Sequence, residues 1–405
     1  MTALSLLDLA AYRAQRALDS VVLAQITWIS AADPDPLRLR QTAARLAATR
    51  QLGRVVVPAR VPGGRDHWGP LAAVPEVVVE DSPLDRAALL DWAEARAGVP
   101  IDAGHRPWHL AARPLTGGGH VATLVVSHAL TDGIGLLNAL AAEPPARQVP
   151  RHLPHRGVLP GLREALSGLP SGVRAALLAA RRSGSPVAAP RCTRTRARAA
   201  LATVDASAWR AASGGSSNAL FLSIAGRVAV ALGRVAADGR VLLGMPVNDR
   251  AAGDDVTANA LTTVTVELPA DRVDDLAYIR REVKKVLTTR SEPVTALLPI
   301  VPYLPRRALR PVALAALGGA GPVTSASHVG RLPAAVAGAD LVFLNLGMQH
   351  PEGVAVPERV NAVCAESPQG TVALHVAAAI ENPAPVRDAL HAAVTSAGLA
   401  VRELW

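Results

Sequence analysis

Val121-Ala-Thr-Leu-Val-Val-Ser-His128-Ala-Leu-Thr-Asp132-Gly133-Ile-Gly135 is the stretch whose reading decides the fold of this chain. Its first half is apolar and rich in β-branched residues, the pattern of a buried strand. The run ends at His128. Asp132-Gly133 follows four residues later, and the spacing of Ile134, Leu136, Leu137 and Leu140 begins a helix. A histidine is therefore expected at the exit of a buried strand, on a short loop before a helix start. Such a place holds a base rigidly and leaves it open to a ligand.

Upstream, Leu4, Leu7, Ala11, Ala14 and Leu18 recur in steps of three and four, which predicts one amphipathic helix. Residues 21–29 read as a strand, 34–52 as a helix, 54–61 as a strand and 84–98 as a helix. A hairpin follows: arm 108–113, turn Thr116-Gly-Gly-Gly119, and arm 120–127, which delivers His128. Beyond residue 144 the composition shifts. Pro144, Pro145, Pro150, Pro154 and Pro160 interrupt the chain, residues 162–182 form a helix, and 183–198 is rich in Gly, Pro and Arg. This divides the chain into an N-terminal subdomain (1–160), a helix and basic crossover linker (161–198) and a C-terminal subdomain (199–405). In the last, strands are expected at 199–204, 241–247 and 259–268. Helices are expected at 217–232, capped by Ser216 or Ser217, and at 274–289 and 385–398. Residues 324–330, 341–348 and 371–378 supply further strand or loop elements.

Half of the 405 residues are hydrophobic, enough for two cores, and with 3% aromatics those cores must be aliphatic. Two cysteines, Cys192 and Cys364, make no disulfide framework and no Cys-x-x-Cys pair, so a reducing, cytoplasmic setting is expected. His152-x-x-His155 has no acidic or thiol company, and no metal site is expected. The opening residues lack a signal-peptide pattern, and no uncharged apolar run reaches the length of a membrane span. The net charge of +9 comes largely from Arg dispersed through periodic segments. Without a zinc-finger, RRM or helix-turn-helix signature, no nucleic-acid partner is expected; an anionic small ligand or acidic protein suits the charge equally.

The opening stretch resembles the His-x-x-x-Asp-Gly motif of the large acyltransferase superfamily. That group includes chloramphenicol acetyltransferase, nonribosomal peptide condensation domains, plant BAHD enzymes, mycobacterial polyketide-associated acyltransferases and bacterial wax ester synthase/diacylglycerol acyltransferases. The layout Asp102, Arg106-Pro107-Trp108, strand, glycine turn, strand is similar to the wax ester synthase group, as is the opening Leu4-Ser-Leu-Leu-Asp8. Gly244-Met-Pro246-Val247-Asn248-Asp249-Arg250, followed by the strand from Asn259, resembles the superfamily's Pro-Val-x-x-Arg and Asn-containing strand. Thr324-Ser325-Ala-Ser327-His328-Val329-Gly330 resembles its Ser-Asn-x-Gly stretch, with His328 in place of asparagine. Ser127 stands where many members carry a first histidine, and the plant-type Asp-Phe-Gly-x-Gly motif is absent.

The resemblance implies an α/β fold of two chloramphenicol-acetyltransferase-like subdomains. Each would be a mixed sheet flanked by helices, with an active-site tunnel at their interface. It makes His128 the general base, a role worth about 10²–10⁴ in rate. Asp132 becomes structural, either as the partner of Arg250 or as the cap of the next helix. Gly133 would allow a tight turn and close ligand approach, and Ser127, Asn259, Ser325, Ser327 and His328 would touch the tunnel. The implied function is transfer of an acyl group from a thioester to a hydroxyl or amine, in lipid or natural-product biosynthesis. No bound cofactor is expected; acyl-CoA or a phosphopantetheinyl carrier protein is the co-substrate and partner. The chain is expected to be a monomer. Two alternatives stay open: a free-standing condensation-type enzyme forming amides on carrier-bound substrates, and a non-catalytic binding module of the same fold. No Gly-x-Ser-x-Gly elbow supports a serine hydrolase.

Overall fold

A computed structural model describes residues 2–142, 158–182, 191–195, 197–251, 257–289, 295–318, 322–333, 339–380 and 385–405. His152 and His155 lie outside the described residues, as do most of the proline-rich stretch and Arg196.

The first part of the chain runs α1 (Leu6–Ala17), β1 (Val21–Ser30), α2 (Pro36–Ala48), β2 (Arg54–Val57), β3 (His67–Pro70), β4 (Val77–Val79), α3 (Leu89–Ala97), β5 (Trp108–Pro114), β6 (His120–Ser127), α4 (Gly133–Ala141) and α5 (Val158–Arg182). Ser5 caps α1 by accepting from the Asp8 amide. Asp35 caps α2, whose Pro36 sits where its missing N–H costs nothing. The strand read from residues 120–127 is β6, buried at all eight positions. It lies between β5 and β1, antiparallel to both, with Leu124 opposite Leu110 and Ile26. Alternation then sorts its side chains. Ala122, Leu124 and Val126 join the larger core under α1 and α4, while Val121 faces the cluster of Leu89, Leu90 and Trp92 on α3.

The second part runs β7 (Cys192–Thr193), β8 (Arg198–Asp205), α6 (Ala206–Ala212), α7 (Ser217–Ala231), β9 (Arg240–Asn248), β10 (Leu261–Pro269), α8 (Leu276–Thr288), α9 (Arg306–Gly318), β11 (Thr324–Arg331), β12 (Ala339–Gln349), β13 (Val356–Pro357), β14 (Arg359–Glu366), β15 (Thr371–Ala379), α10 (Val386–Ser396) and β16 (Val401–Leu404). Seven of its strands form a mixed sheet, β10-β9-β11-β14-β15-β8-β16, with a separate core against α7 and α10. Two α/β layers flanked by helices match the expected class.

One strand ignores the expected division. β12 leaves the second part and pairs along the whole of β1, Val21 opposite Gln349 through Ser30 opposite Ala339, completing the first sheet as β12-β1-β6-β5-β4. Without it β1 would present an open edge of unpaired backbone groups. The first core accordingly includes Val342 and Leu344 of β12, Ala258, and Val363 and Ala365 of β14. A cut at residue 199 therefore does not separate two independent cores. Residues 206–212, 306–318 and 359–366, given no element by sequence spacing, form α6, α9 and β14.

His375 on β15 stacks on Phe343 of β12, with ring centroids 5.8 Å apart, where the two sheets meet. It is 2% exposed, and burial lowers its pKa from 6.5 to about 4. A folded-state pKa below the unfolded one means that the unfolded chain binds the extra proton. Stability is then complete above pH 6.5 and lost as pH falls toward 4, by about 3 kcal/mol from this group. Thermal unfolding followed from pH 7.5 to 4 should show that loss, and His375→Leu should flatten the profile.

Candidate active site

His128 sits one residue beyond β6, and its amide still donates to the Val22 carbonyl at 2.8 Å, extending the strand pairing. The chain then turns, with the Leu130 amide donating to the Ser127 carbonyl, and enters α4. Asp132 caps that helix: its Oδ1 accepts from the Gly135 amide at 2.7 Å. Its Oδ2 accepts from Arg250 Nη2 at 2.9 Å and from the Ala260 amide at 2.9 Å. Cap and ion pair, which the sequence left as alternatives, are both made by one carboxylate. The Asp132 amide also donates to the Ala258 carbonyl, and Arg250 donates to the carbonyls of Thr257 and Ala258. Both side chains of the pair are buried, at 3% and 4% exposed. From the other side, Arg54 Nη2 donates to the Leu130 carbonyl at 2.8 Å, with its guanidinium 3.8 Å from the Trp68 ring centroid.

The His128 carbonyl is held as well. Asn259 Nδ2 donates to it at 3.1 Å and to Asp8 Oδ1 at 3.2 Å, and the Asn259 amide donates to the same Asp8 oxygen at 3.0 Å. Ser5 Oγ donates to the other oxygen of Asp8. Asp8 is buried at 1% exposed, so the first turn of α1, the loop of His128 and the lead into β10 are tied at one point. Asn259 is thus a seam residue that orients the backbone of His128. Asp8, Arg54 and Gly135 were not singled out as site residues from sequence. Asp8 ends the quoted opening Leu-Ser-Leu-Leu-Asp and Gly135 ends the quoted stretch from Val121, whereas Arg54 lies in no quoted motif.

Burial pushes the His128 pKa below the ordinary imidazole value, opposed by the charge of Asp132, its own main-chain carbonyl, Asn259 and the charge of Asp8. The ring is therefore neutral at pH 7 and able to accept a proton. A proton on the nitrogen that faces its own carbonyl leaves the other nitrogen as the acceptor.

The strand pleat decides the remaining positions. Ser127 lies opposite Leu23 and on the face of Val125, the small cluster with Ile101, away from the core that takes Val126. It does not share the side of His128, and its buried hydroxyl has no hydrogen-bond partner there. Ser325 and Ser327 lie opposite Asn361 and Val363 on β14. That face packs with Val329, Val363 and Ala365 into the core containing Ala129 and Leu130. Ser327 Oγ is buried with no hydrogen-bond partner. His328, one step on, takes the opposite face. Its Nε2 is 2.8 Å from Ser217 Oγ, its ring is 5.8 Å from Phe221, and both partners lie on α7. His328 and Ser327, expected side by side, therefore point to opposite faces of β11. Gly133 does not adopt a left-handed conformation, and a Cβ there would meet nothing within 4 Å, so it faces open space. Gly135 is the constrained glycine: a Cβ would lie 2.2 Å from Thr131 Oγ1 and 3.1 Å from Arg250 Nη2.

Among the described residues no group of three His, Cys, Asp or Glu could hold a metal ion, and no helix is long and apolar enough to cross a membrane. Burial raises the thiol pKa of Cys364 in the second core.

The wax ester synthase/diacylglycerol acyltransferase from Marinobacter aquaeolei VT8 superposes on 98% of this chain and 100% of its own, with a TM-score of 0.56 and 15% identity. The first condensation domain of the calcium-dependent antibiotic synthetase covers 98% of this chain and 96% of its own, with a TM-score of 0.58 and 14% identity. The chain has the condensation-domain fold that these structures share. In sequence it is 27% identical over 290 residues to a Mycobacterium tuberculosis protein provisionally named a diacylglycerol O-acyltransferase, recorded from two strains. The match spans 58% of this chain and 58% of that protein. No protein-family model matches the chain.

Removing Arg250 leaves the Asp132 carboxylate buried without its cation. Arg250→Ala should cost about 3–5 kcal/mol in chemical denaturation. Gly135→Ala should also destabilise, through contact with Thr131 and Arg250, whereas Gly133→Ala should leave the unfolding midpoint unchanged.

Proposed function

We propose that this protein transfers an acyl group from a thioester, carried by coenzyme A or a phosphopantetheinyl carrier protein, to a hydroxyl or amine, with His128 as general base. The carrying observation is the neutral imidazole at the strand exit, held through its main chain by both halves of the molecule. His128 takes the proton of the acceptor as its oxygen or nitrogen bonds to the thioester carbonyl carbon. The oxyanion collapses, the carbon–sulfur bond breaks, and the thiolate recovers the proton from the imidazolium as free thiol. No acyl-enzyme and no resident cofactor is required. Ser327, with a buried hydroxyl free to donate on the face toward His128's core, is the candidate to stabilise the oxyanion.

A hydroxyl acceptor is favoured over an amine by the named role of the curated relatives, diacylglycerol O-acylation. Amide formation on carrier-bound substrates is the second reading, supported by the condensation-domain likeness. A non-catalytic module would have no need for the Asp132, Arg250, Asn259 and Asp8 network around one histidine.

Thiol release from short to long acyl-CoA thioesters, with a pool of alcohols and amines, tests the proposal. Acceptor-dependent release by wild type and a loss of about 10²–10⁴ in His128→Ala are expected. Equal release by both would remove His128 from the mechanism. Ser327→Ala should lower kcat by about 10²-fold with KM little changed.

The pH profile gives a separate check. The acid limb of kcat/KM should lie below pH 6.5. The Asp8 charge raises the His128 pKa, so Asp8→Asn should move that limb to lower pH.

A further inference from the structure

Helix α5 turns the wrong way round. A surface helix ordinarily buries its large apolar side chains and shows its small and polar ones. In α5 the small residues are inside. A Cβ on Gly168 would lie 2.7 Å from the Tyr303 hydroxyl, and one on Gly172 2.8 Å from the Tyr303 ring. Ala165 and Ala175 are 7% and 1% exposed, and Tyr303 Oη donates to the Ala165 carbonyl. Five of its large aliphatic residues are outside: Leu159, Leu162, Leu166, Leu169 and Val173 are 79%, 45%, 61%, 45% and 51% exposed. Their spacing of three, four, three and four places them in one stripe along the helix. Residues at this spacing would bury themselves in a partner given one.

Charge selects the partner. Arg163 and Arg174 are exposed and fall at the same helical angle, on one flank of the stripe. The helix carries four arginines against one glutamate, and residues 183–198 add Arg191, Arg194, Arg196 and Arg198 with no acidic residue. A second copy of so basic a helix would be repelled. The segments on either side of α5 offer little apolar cover: residues 143–157 contain only Val149 and Leu153 as large aliphatic side chains. We infer that α5 lies in the plane of an anionic lipid surface, with its leucine stripe among the acyl chains and its arginines at the headgroups. Among the described residues no helix is long and apolar enough to span a bilayer, so contact is from one side. The inference is independent of His128 and stands or falls apart from the acyl-transfer reading.

The full chain is mixed with sedimenting vesicles of phosphatidylcholine alone or with phosphatidylglycerol. Wild type should partition to the anionic vesicles and be released by high salt. Because the altered side chains are exposed, the triple variant Leu162→Ser, Leu166→Ser, Leu169→Ser should keep the wild-type Tm yet bind roughly tenfold or more weakly. Arg163→Glu with Arg174→Glu should abolish the preference for anionic vesicles. No binding by wild type, or equal binding by the triple variant, overturns the inference. So does a wild-type dimer that the triple variant dissolves, which would assign the stripe to a second copy. A Tm lowered by the triple variant would assign it to cover by this chain's own segments.

Discussion

The carboxylate of Asp132 is the constraint on which the site depends. It takes hydrogen bonds from the Gly135 amide, the Ala260 amide and the Arg250 guanidinium, the last two donated from a segment more than a hundred residues away. A buried ion pair is poor evidence of net stability, since desolvation offsets most of the attraction. Its value here lies in specificity of arrangement. One oxygen starts α4 and the other is fixed to the second half, so the loop of His128 has the same frame as both. The tolerance is small: no methyl group fits at Gly135, between Thr131 and Arg250.

The second hold, from Asp8 through Asn259 to the His128 carbonyl, acts on the main chain of His128 and on the charge around its ring at once. Burial lowers the pKa of the ring and the two carboxylates raise it. In the proposed role of general base His128 gains from this opposition, because burial alone would make the imidazole a weaker base. The leucine stripe of α5 belongs to a different part of the surface economy. There a helix is glued down by glycines against Tyr303 and leaves its apolar side free.

Much of this is legible in the sequence. The strand of residues 120–127 and the helix from Gly133 follow from local pattern, while the pairing of Asp132 with Arg250 was one of two readings that the family resemblance offered. What was not legible depends on contacts far apart in sequence. The run 341–348 reads as a strand, but nothing in it says that its partner is β1 and not a neighbour in the second sheet. His328 was placed by motif position beside Ser327. One step along a strand reverses the face, and that reversal is visible only once the register with β14 is known. Arg54 shows no signal at all in sequence, because its role is to reach a carbonyl 76 residues away.

A double-mutant cycle on kcat/KM of the proposed acyl transfer, with Asp132→Ala, Arg250→Ala and the pair, tests the central claim most directly: that one clamp across the seam positions His128. If the two residues act as a unit, either single variant should lose nearly as much acyl transfer as the double, a strongly non-additive cycle. Losses that simply multiply, with each variant folded by near-ultraviolet circular dichroism, would contradict the clamp and leave His128 positioned by other contacts.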